Sequence, residues 1–328
     1  MPVKKKSKWV GFDLGGTKML AAVMDDKFKK KASVKKRTRN SDDGPSDILE
    51  RIIATIEEVI DDAGLKASDI SGLGIGVPGP VDHKKGIVMD TPNLGWKNVP
   101  LKRTLEKKFG FPVRVANDVD AGTYGEYIGG AGKKADCLIG AFPGTGLGGG
   151  CVVNGKIFQG ARFTCMEIGH FPMMPQAPVW GKRQFATLET LTSRLCVSKE
   201  AAVEVFRGRA PALDKIAGSD FRRYKSGALA EAAKKDEVIE EIVHDAAAWL
   251  GVGLAGFVNV FAPDVIVLGG GMVEAMPKQF RDVVEKTMKR QVMEVYRDSF
   301  EVRVAELGDD AAVIGAAGLI MEQEQDDV

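Results

Sequence analysis

A chain of 328 residues, 44% apolar and 28% charged, can bury a sizeable core and lies outside the compositions of disordered or disulfide-dense proteins. Its 46 lysines and arginines are offset by 45 aspartates and glutamates, so no basic surplus points to a nucleic-acid partner. Cys137, Cys151, Cys165 and Cys196 form no C-x-x-C pair, which argues against a disulfide framework or a zinc ribbon and fits a reducing compartment, the cytoplasm.

In chain order, the basic run 4–6 and the acidic residues of 322–327 read as solvated ends. Past the lysines the chain turns directly into Trp9 and Val10, with no apolar h-region or cleavage site, so no secretory signal is expected. Residues 10–14 read as a strand closed by Gly15-Gly16-Thr17, and 19–24 as the returning strand of a hairpin with an acid near its tip. Helical spacing of apolar residues predicts a helix over 48–63, and 70–77 a buried strand ended by Pro78-Gly79-Pro80. A helix over 101–109 and a strand over 113–116 follow, and Asn117-Asp118 stands where that strand gives way to 119–128.

The opening pattern then recurs about 130 residues later: a strand over 137–142, the run Gly144-Thr145-Gly146-Leu147-Gly148-Gly149-Gly150, and a returning strand over 151–153. Two related lobes are expected. Beyond it the chain reads as mostly helical, over 188–197, a polar stretch 210–235, and 238–261, whose apolar part 246–262 is short for a membrane span and is expected to be a buried helix. A strand over 265–268 enters Gly269-Gly270-Gly271. An amphipathic helix over 280–293, a strand over 302–305 and a small-residue helix over 311–321 complete an α/β pattern.

Glycine turns after strands let backbone N–H groups approach phosphate oxygens, because no Cβ holds the anion away. Each such turn also serves as an ordinary hairpin, and none of the three matches a P-loop or a dinucleotide fingerprint. Taken together, Asp13-Leu14-Gly15-Gly16-Thr17-Lys18, Gly144-Thr145-Gly146-Leu147-Gly148-Gly149 and Val267-Leu268-Gly269-Gly270-Gly271 resemble, in order and separation, the two phosphate motifs and the adenosine motif of the ROK family of sugar kinases. The likeness extends through 75–81, 117–127, 167–170 and Gly315-Ala316-Ala317, over essentially the whole chain.

The resemblance implies a two-lobed, actin-like (ribonuclease H-like) α/β kinase fold, with a small lobe over 1–128 completed by 311–328 and a large lobe over 129–310. It implies ATP and Mg²⁺ as cofactors, with Gly15, Gly16, Thr17, Lys18, Gly144, Thr145, Gly146, Gly269, Gly270 and Gly271 at the nucleotide and Asp13 ordering the metal through water. Asp13 alone also reads as a turn cap, and Asp118 alone as a helix N-cap. The family's Asn-Asp pair makes Asp118 the base for a sugar hydroxyl and Asn117 a sugar ligand, with Glu167, His170 and Glu189 as further sugar contacts. Glucose is the sugar those residues suggest first, fructose, mannose and N-acetylated amino sugars remaining open, as does polyphosphate in place of ATP. A homodimer is implied by family likeness, and neither nucleic acid nor membrane is expected as a partner. A sugar-responsive repressor would need a helix-turn-helix ahead of the first motif, where only twelve residues precede Asp13. Family members commonly bind zinc through the His of this motif and three cysteines, but Trp180, Lys182 and Thr187 occupy those positions, so no zinc is expected and the loop 171–186 has to be held by apolar packing.

Overall fold

Lys8–Leu14 is buried on both faces along most of its length, which is why it reads as a near-continuous apolar run rather than an alternating one. In the computed structural model, which describes residues 7–38, 44–91, 93–175 and 185–326, this strand is the middle of a five-stranded sheet. The spatial order is Lys30–Arg37, Lys18–Asp25, Lys8–Leu14, Ile70–Val77, Val113–Asn117, with the first three antiparallel and the last two parallel to the central strand. The edge strand Lys30–Arg37 escapes the sequence reading because only Val34 is buried in it and four of its eight residues are lysines. Lysine is also what keeps an open sheet edge from pairing with another chain.

Two helices cover the two faces. Pro45–Asp62 presents Ile48, Ile52, Ile56 and Val59 to one, where they join Phe12, Leu14, Met19 and Ile75 in a single apolar cluster. Ala311–Asp326 lies on the other at backbone-contact range: a Cβ on Gly74 would stand 1.8 Å from the Ala316 carbonyl oxygen, and one on Gly11 2.1 Å from that of Val313. The same helix packs on Asp118–Gly129, where a Cβ on Gly315 would lie 1.7 Å from the Ala121 carbonyl oxygen. The buried carboxylate of Glu126 fixes the chain entering this helix by accepting from the N–H groups of Ala131, Glu306 and Leu307. The acidic end expected to be solvated is instead helical to Asp326, with Glu322 3.6 Å from Arg114; residues 4–6 lie outside the described residues.

A three-stranded sheet, Val81–Asp82, Ile87–Thr91 and Trp96–Val99, separates Ile70–Val77 from the helix Leu101–Phe109. These elements belong to a compact unit drawn from Met1–Lys133, Gly150–Cys165 and Glu306–Val328. The second unit comprises Lys134–Gly149 and Met166–Ala305. The breaks thus fall at 133/134 and 305/306, beside the expected 128/129 and 310/311, and the excursion 150–165 groups with the first unit.

In the second unit Val265–Leu268 runs parallel to both Cys137–Pro143 and Glu301–Val304. The helix Glu237–Phe261 is long and apolar enough in composition to cross a membrane. It packs on Pro277–Gln291, so closely that a Cβ on Gly251 would meet Thr287 Cβ at 2.7 Å, and it buries Val243, Ala247, Leu250 and Leu254. The helix expected over 188–197 is two helices, Leu188–Thr192 and Arg194–Phe206. Ser193 takes extended backbone between them and its hydroxyl accepts from the Cys196 N–H, capping the second.

Candidate active site

The first unit assembles one set of the expected residues. Asp13 stands near the C-terminal end of the central strand, in register with Gly76, and Val77 is in register with Asn117 on the next strand. A Cβ on Gly76 would lie 3.2 Å from Asp118 Cα and 3.3 Å from Ala121 Cβ, so glycine there makes room for Asp118 beside the Asp13 row. Burial, and then the Asp118 charge, push the Asp13 carboxyl up to about 7; Lys18 opposes them and Asp309 adds to them.

Helix capping, one elementary reading of Asp118, falls to its neighbour. Asn117 Oδ1 accepts from the N–H groups of Val119 and Asp120 at 2.8 and 3.1 Å, and its amide donates to the Gly79 carbonyl at 3.2 Å. Asp118 is therefore the first residue of the helix, half-buried, at the end whose peptide dipoles favour an ionised carboxylate. The hairpin tip is tied down by Thr38, which donates through its hydroxyl to the Gly15 carbonyl at 2.6 Å and through its N–H to that of Thr17 at 3.0 Å. Gly15 is required because a Cβ would stand 2.7 Å from the Lys18 carbonyl oxygen. Gly16, Thr17 and Lys18 are exposed at the tip, and Lys18 Nζ donates to Asp309 at 2.7 Å.

The second unit assembles the other set. The turn Gly144 to Gly146 is closed by a 2.8 Å bond from the Gly144 N–H to the Gly146 carbonyl. Glu189 accepts the Leu147 N–H at 2.8 Å, and a Cβ on Gly146 would fall 2.3 Å from the same carboxylate oxygen. Arg194 donates from its guanidinium to the Thr145 hydroxyl and from its backbone to the Gly144 carbonyl, each at 2.9 Å. Glu189 thus shapes the second glycine turn, a part that its expected sugar contact does not describe.

Glu167 caps and His170 ends a single 3₁₀ turn, Ile168–His170, both exposed, with the His170 N–H donating to the Glu167 carbonyl at 3.0 Å. That turn reaches the same neighbourhood through Gly169, where a Cβ would meet the Leu147 carbonyl oxygen at 2.4 Å and Glu189 Cβ at 3.3 Å. Gly269 packs on Phe142, and Gly270 has φ +78°, a left-handed conformation that opens the short helix Gly271–Ala275.

Of the positions where zinc cysteines would fall, Trp180 and Lys182 lie outside the described residues. Thr187 caps Leu188–Thr192, its hydroxyl accepting from the Thr190 N–H at 3.4 Å. The base of the 171–186 loop is held by pairing of Pro172–Pro175 with Phe185–Thr187, and by the Phe171 ring 5.4 Å from that of Phe257, so a backbone ladder joins the expected apolar packing.

Sequence reasoning passed over Gly76, Asp309 and Arg194. Gly76 carried a signal: the alternation Gly72, Gly74, Gly76 within a strand marks one face covered at backbone range. Asp309 and Arg194 are distant in sequence from the residues they hold and carried none.

Strand-end carboxylates beside a glycine hairpin, on a sheet flanked by helices, place the chain in the actin-like (ribonuclease H-like) α/β class. A model described as "ROK family" matches residues 9–323, and the chain belongs to the ROK family. It is 31% identical over 325 residues to a glucokinase of Thermotoga maritima, covering 97% of this chain and 98% of that protein. It is 29% identical to a xylose repressor of Caldicellulosiruptor bescii over 84% of this chain and 68% of that one. A ROK family glucokinase from Streptomyces griseus, solved with glucose and AMPPNP, superposes with a TM-score of 0.81 at 30% identity, covering 95% of this chain and 99% of that one.

Proposed function

We propose that this protein transfers the terminal phosphoryl group of ATP to a hydroxyl of a hexose, glucose being the first sugar to test. The observation that carries the reading is the carboxylate pair: Asp13 raised to about 7 by burial and by Asp118, on a sheet whose glycine at 76 makes room for the second acid. Glucokinases of the same family, one solved with glucose and AMPPNP, support it.

In phosphoryl transfer the protein positions groups and neutralises charge more than it forms bonds. Asp118 accepts the proton of the attacking hydroxyl, its charge favoured by the helix N-terminus. Asn117, with its carbonyl committed to capping, retains an amide N–H for a sugar oxygen, and Glu167, His170 and Glu189 take the remaining hydroxyls. The backbone of Gly15 to Lys18 and of Gly144 to Gly146 contacts phosphates, and Gly269 to Gly271 the adenosine. Burial, with the Asp118 charge behind it, holds the Asp13 carboxyl up, and a divalent cation beside it fits because an added positive charge would offset both. Asp13 would hold Mg²⁺ through water, and the ion would supply charge neutralisation at the phosphates.

Coupled ADP release with Mg-ATP across a panel of hexoses and amino sugars tests the reading. Turnover with one sugar, lost in a folded Asp118→Asn variant, is the expected result. Absence of turnover with every sugar, with polyphosphate as donor also silent, would sink it.

A further inference from the structure

We infer that Arg194 binds the outer phosphates of the donor nucleotide, its guanidinium held at the turn Gly144 to Gly146 to meet them. The inference rests on the kinase reading, in which that turn contacts phosphates. Every residue it uses lies in the second unit.

The turn keeps its shape without the Arg194 side chain. It is closed by the Gly144 N–H on the Gly146 carbonyl at 2.8 Å, Glu189 takes the Leu147 N–H at 2.8 Å, and the backbone N–H of Arg194 reaches the Gly144 carbonyl at 2.9 Å. Nor does the helix Arg194–Phe206 call for a cation at its start. Arg194 is its first residue, no acid accompanies it in the first turn, and the peptide dipoles there disfavour positive charge. The cap comes from the Ser193 hydroxyl, which accepts from the Cys196 N–H. Neither the turn nor the helix accounts for an arginine at 194.

The guanidinium has a neutral anchor and no acid. Nη2 donates to the Thr145 hydroxyl at 2.9 Å, and among the described residues no carboxylate pairs with Arg194. Elsewhere in the same unit Arg207 and Arg209 share Glu204, Arg222 pairs with Asp220 and Arg303 with Glu301. A guanidinium presents five N–H donors in one plane, and the bond to Thr145 uses one. The others form a fork that matches two phosphate oxygens. Thr145 is exposed and Arg194 half-buried, so the anchor is fixed yet open to a ligand from solvent.

Charge supplies a second reason. Glu189 lies against the same turn, where a Cβ on Gly146 would fall 2.3 Å from its Oε2. Backbone N–H groups alone would bring phosphates toward that carboxylate, and a cation on the turn offsets the repulsion.

Calorimetric titration of the full-length protein with Mg-AMPPNP and with AMP, which lacks the outer phosphates, tests the assignment. Arg194→Ala removes the guanidinium and leaves the backbone bond to Gly144 in place. We expect the Kd for Mg-AMPPNP to rise by at least about tenfold and that for AMP to stay within about twofold, with an unchanged melting temperature and partial recovery in Arg194→Lys. Thr145→Val separates contact with phosphate from moulding of the turn: it releases the guanidinium but keeps its charge, and should weaken Mg-AMPPNP binding less than Arg194→Ala does. An unchanged Kd in Arg194→Ala, an equal loss for AMP, or a Thr145→Val variant as weak as Arg194→Ala would overturn the assignment and leave the kinase reading standing. A parent protein that binds neither nucleotide would overturn both.

Discussion

The two units hold their candidate residues in different ways. In the first, Asp13 lies near the end of its strand and Asp118 opens the helix after Val113–Asn117, on a sheet whose glycines bring a helix to backbone contact, and the cap, the turn and the contact of Gly76 with Asp118 are each fixed by neighbours that leave little room to move. In the second, Glu167 and His170 are exposed, Glu167 capping and His170 ending one short 3₁₀ turn that leads into the ladder of Pro172–Pro175 with Phe185–Thr187. Chemistry common to many phosphoryl acceptors needs the rigid arrangement, because misplacement of a base by an ångström is costly in rate. Choice among sugars needs a part that can vary without unfolding the rest, and a turn on the surface offers that.

The sharpest break in this comparison is Asp118→Asn, expected to lower kcat by about 10²–10⁴-fold with an unchanged circular dichroism spectrum. A variant that turns over normally would remove the base from the rigid unit. Next, Gly315→Ala inserts a methyl where the Ala121 carbonyl oxygen lies 1.7 Å away. Overpacking of this kind should cost about 1–3 kcal/mol in urea unfolding, and an unchanged midpoint would mean that the helix is free to shift. On the other unit, Glu167→Gln is expected to raise the sugar KM about tenfold while leaving the melting temperature alone, since one charge-assisted bond is lost at an exposed position. Equal loss of stability would show the turn to be structural.

Asp13→Asn probes the electrostatics. A carboxyl whose folded pKa is about 7, above its ordinary 3.8, favours the fold most in acid and loses that contribution as pH rises through 7. In metal-free buffer the variant should therefore gain stability relative to the parent between pH 5 and pH 8, and a constant difference in melting temperature across that range would contradict the assignment. The smallest effect is expected for Lys30→Ala, which breaks a partly exposed pair with Asp310 at 2.6 Å and should change stability by less than about 0.5 kcal/mol.

Much of this was legible along the chain. The buried strands 70–77 and 265–268 and the helix 48–63 announce themselves because burial on one or two faces imposes a period on the apolar residues. The three glycine turns with Asp13 and the Asn117-Asp118 pair were likewise legible, because short-range backbone geometry demands particular residues in a fixed order. The edge strand Lys30–Arg37 was not, since a half-solvated lysine-rich strand has no apolar period. Nor was the break at Ser193, where a single hydroxyl cap decides between one helix and two.

Sequence by itself thus determined the α/β class, the family and the identity of the candidate acids, all of which rest on local pattern. Tertiary structure alone decided that Asn117 rather than Asp118 caps the helix, that Glu189 and Arg194 shape the glycine turn at 144–146, and that burial and then Asp118 raise Asp13. Those facts depend on distances between residues far apart in the chain, and charge and hydrogen bonding act through space, whereas a linear pattern records only what neighbours along the backbone require of each other.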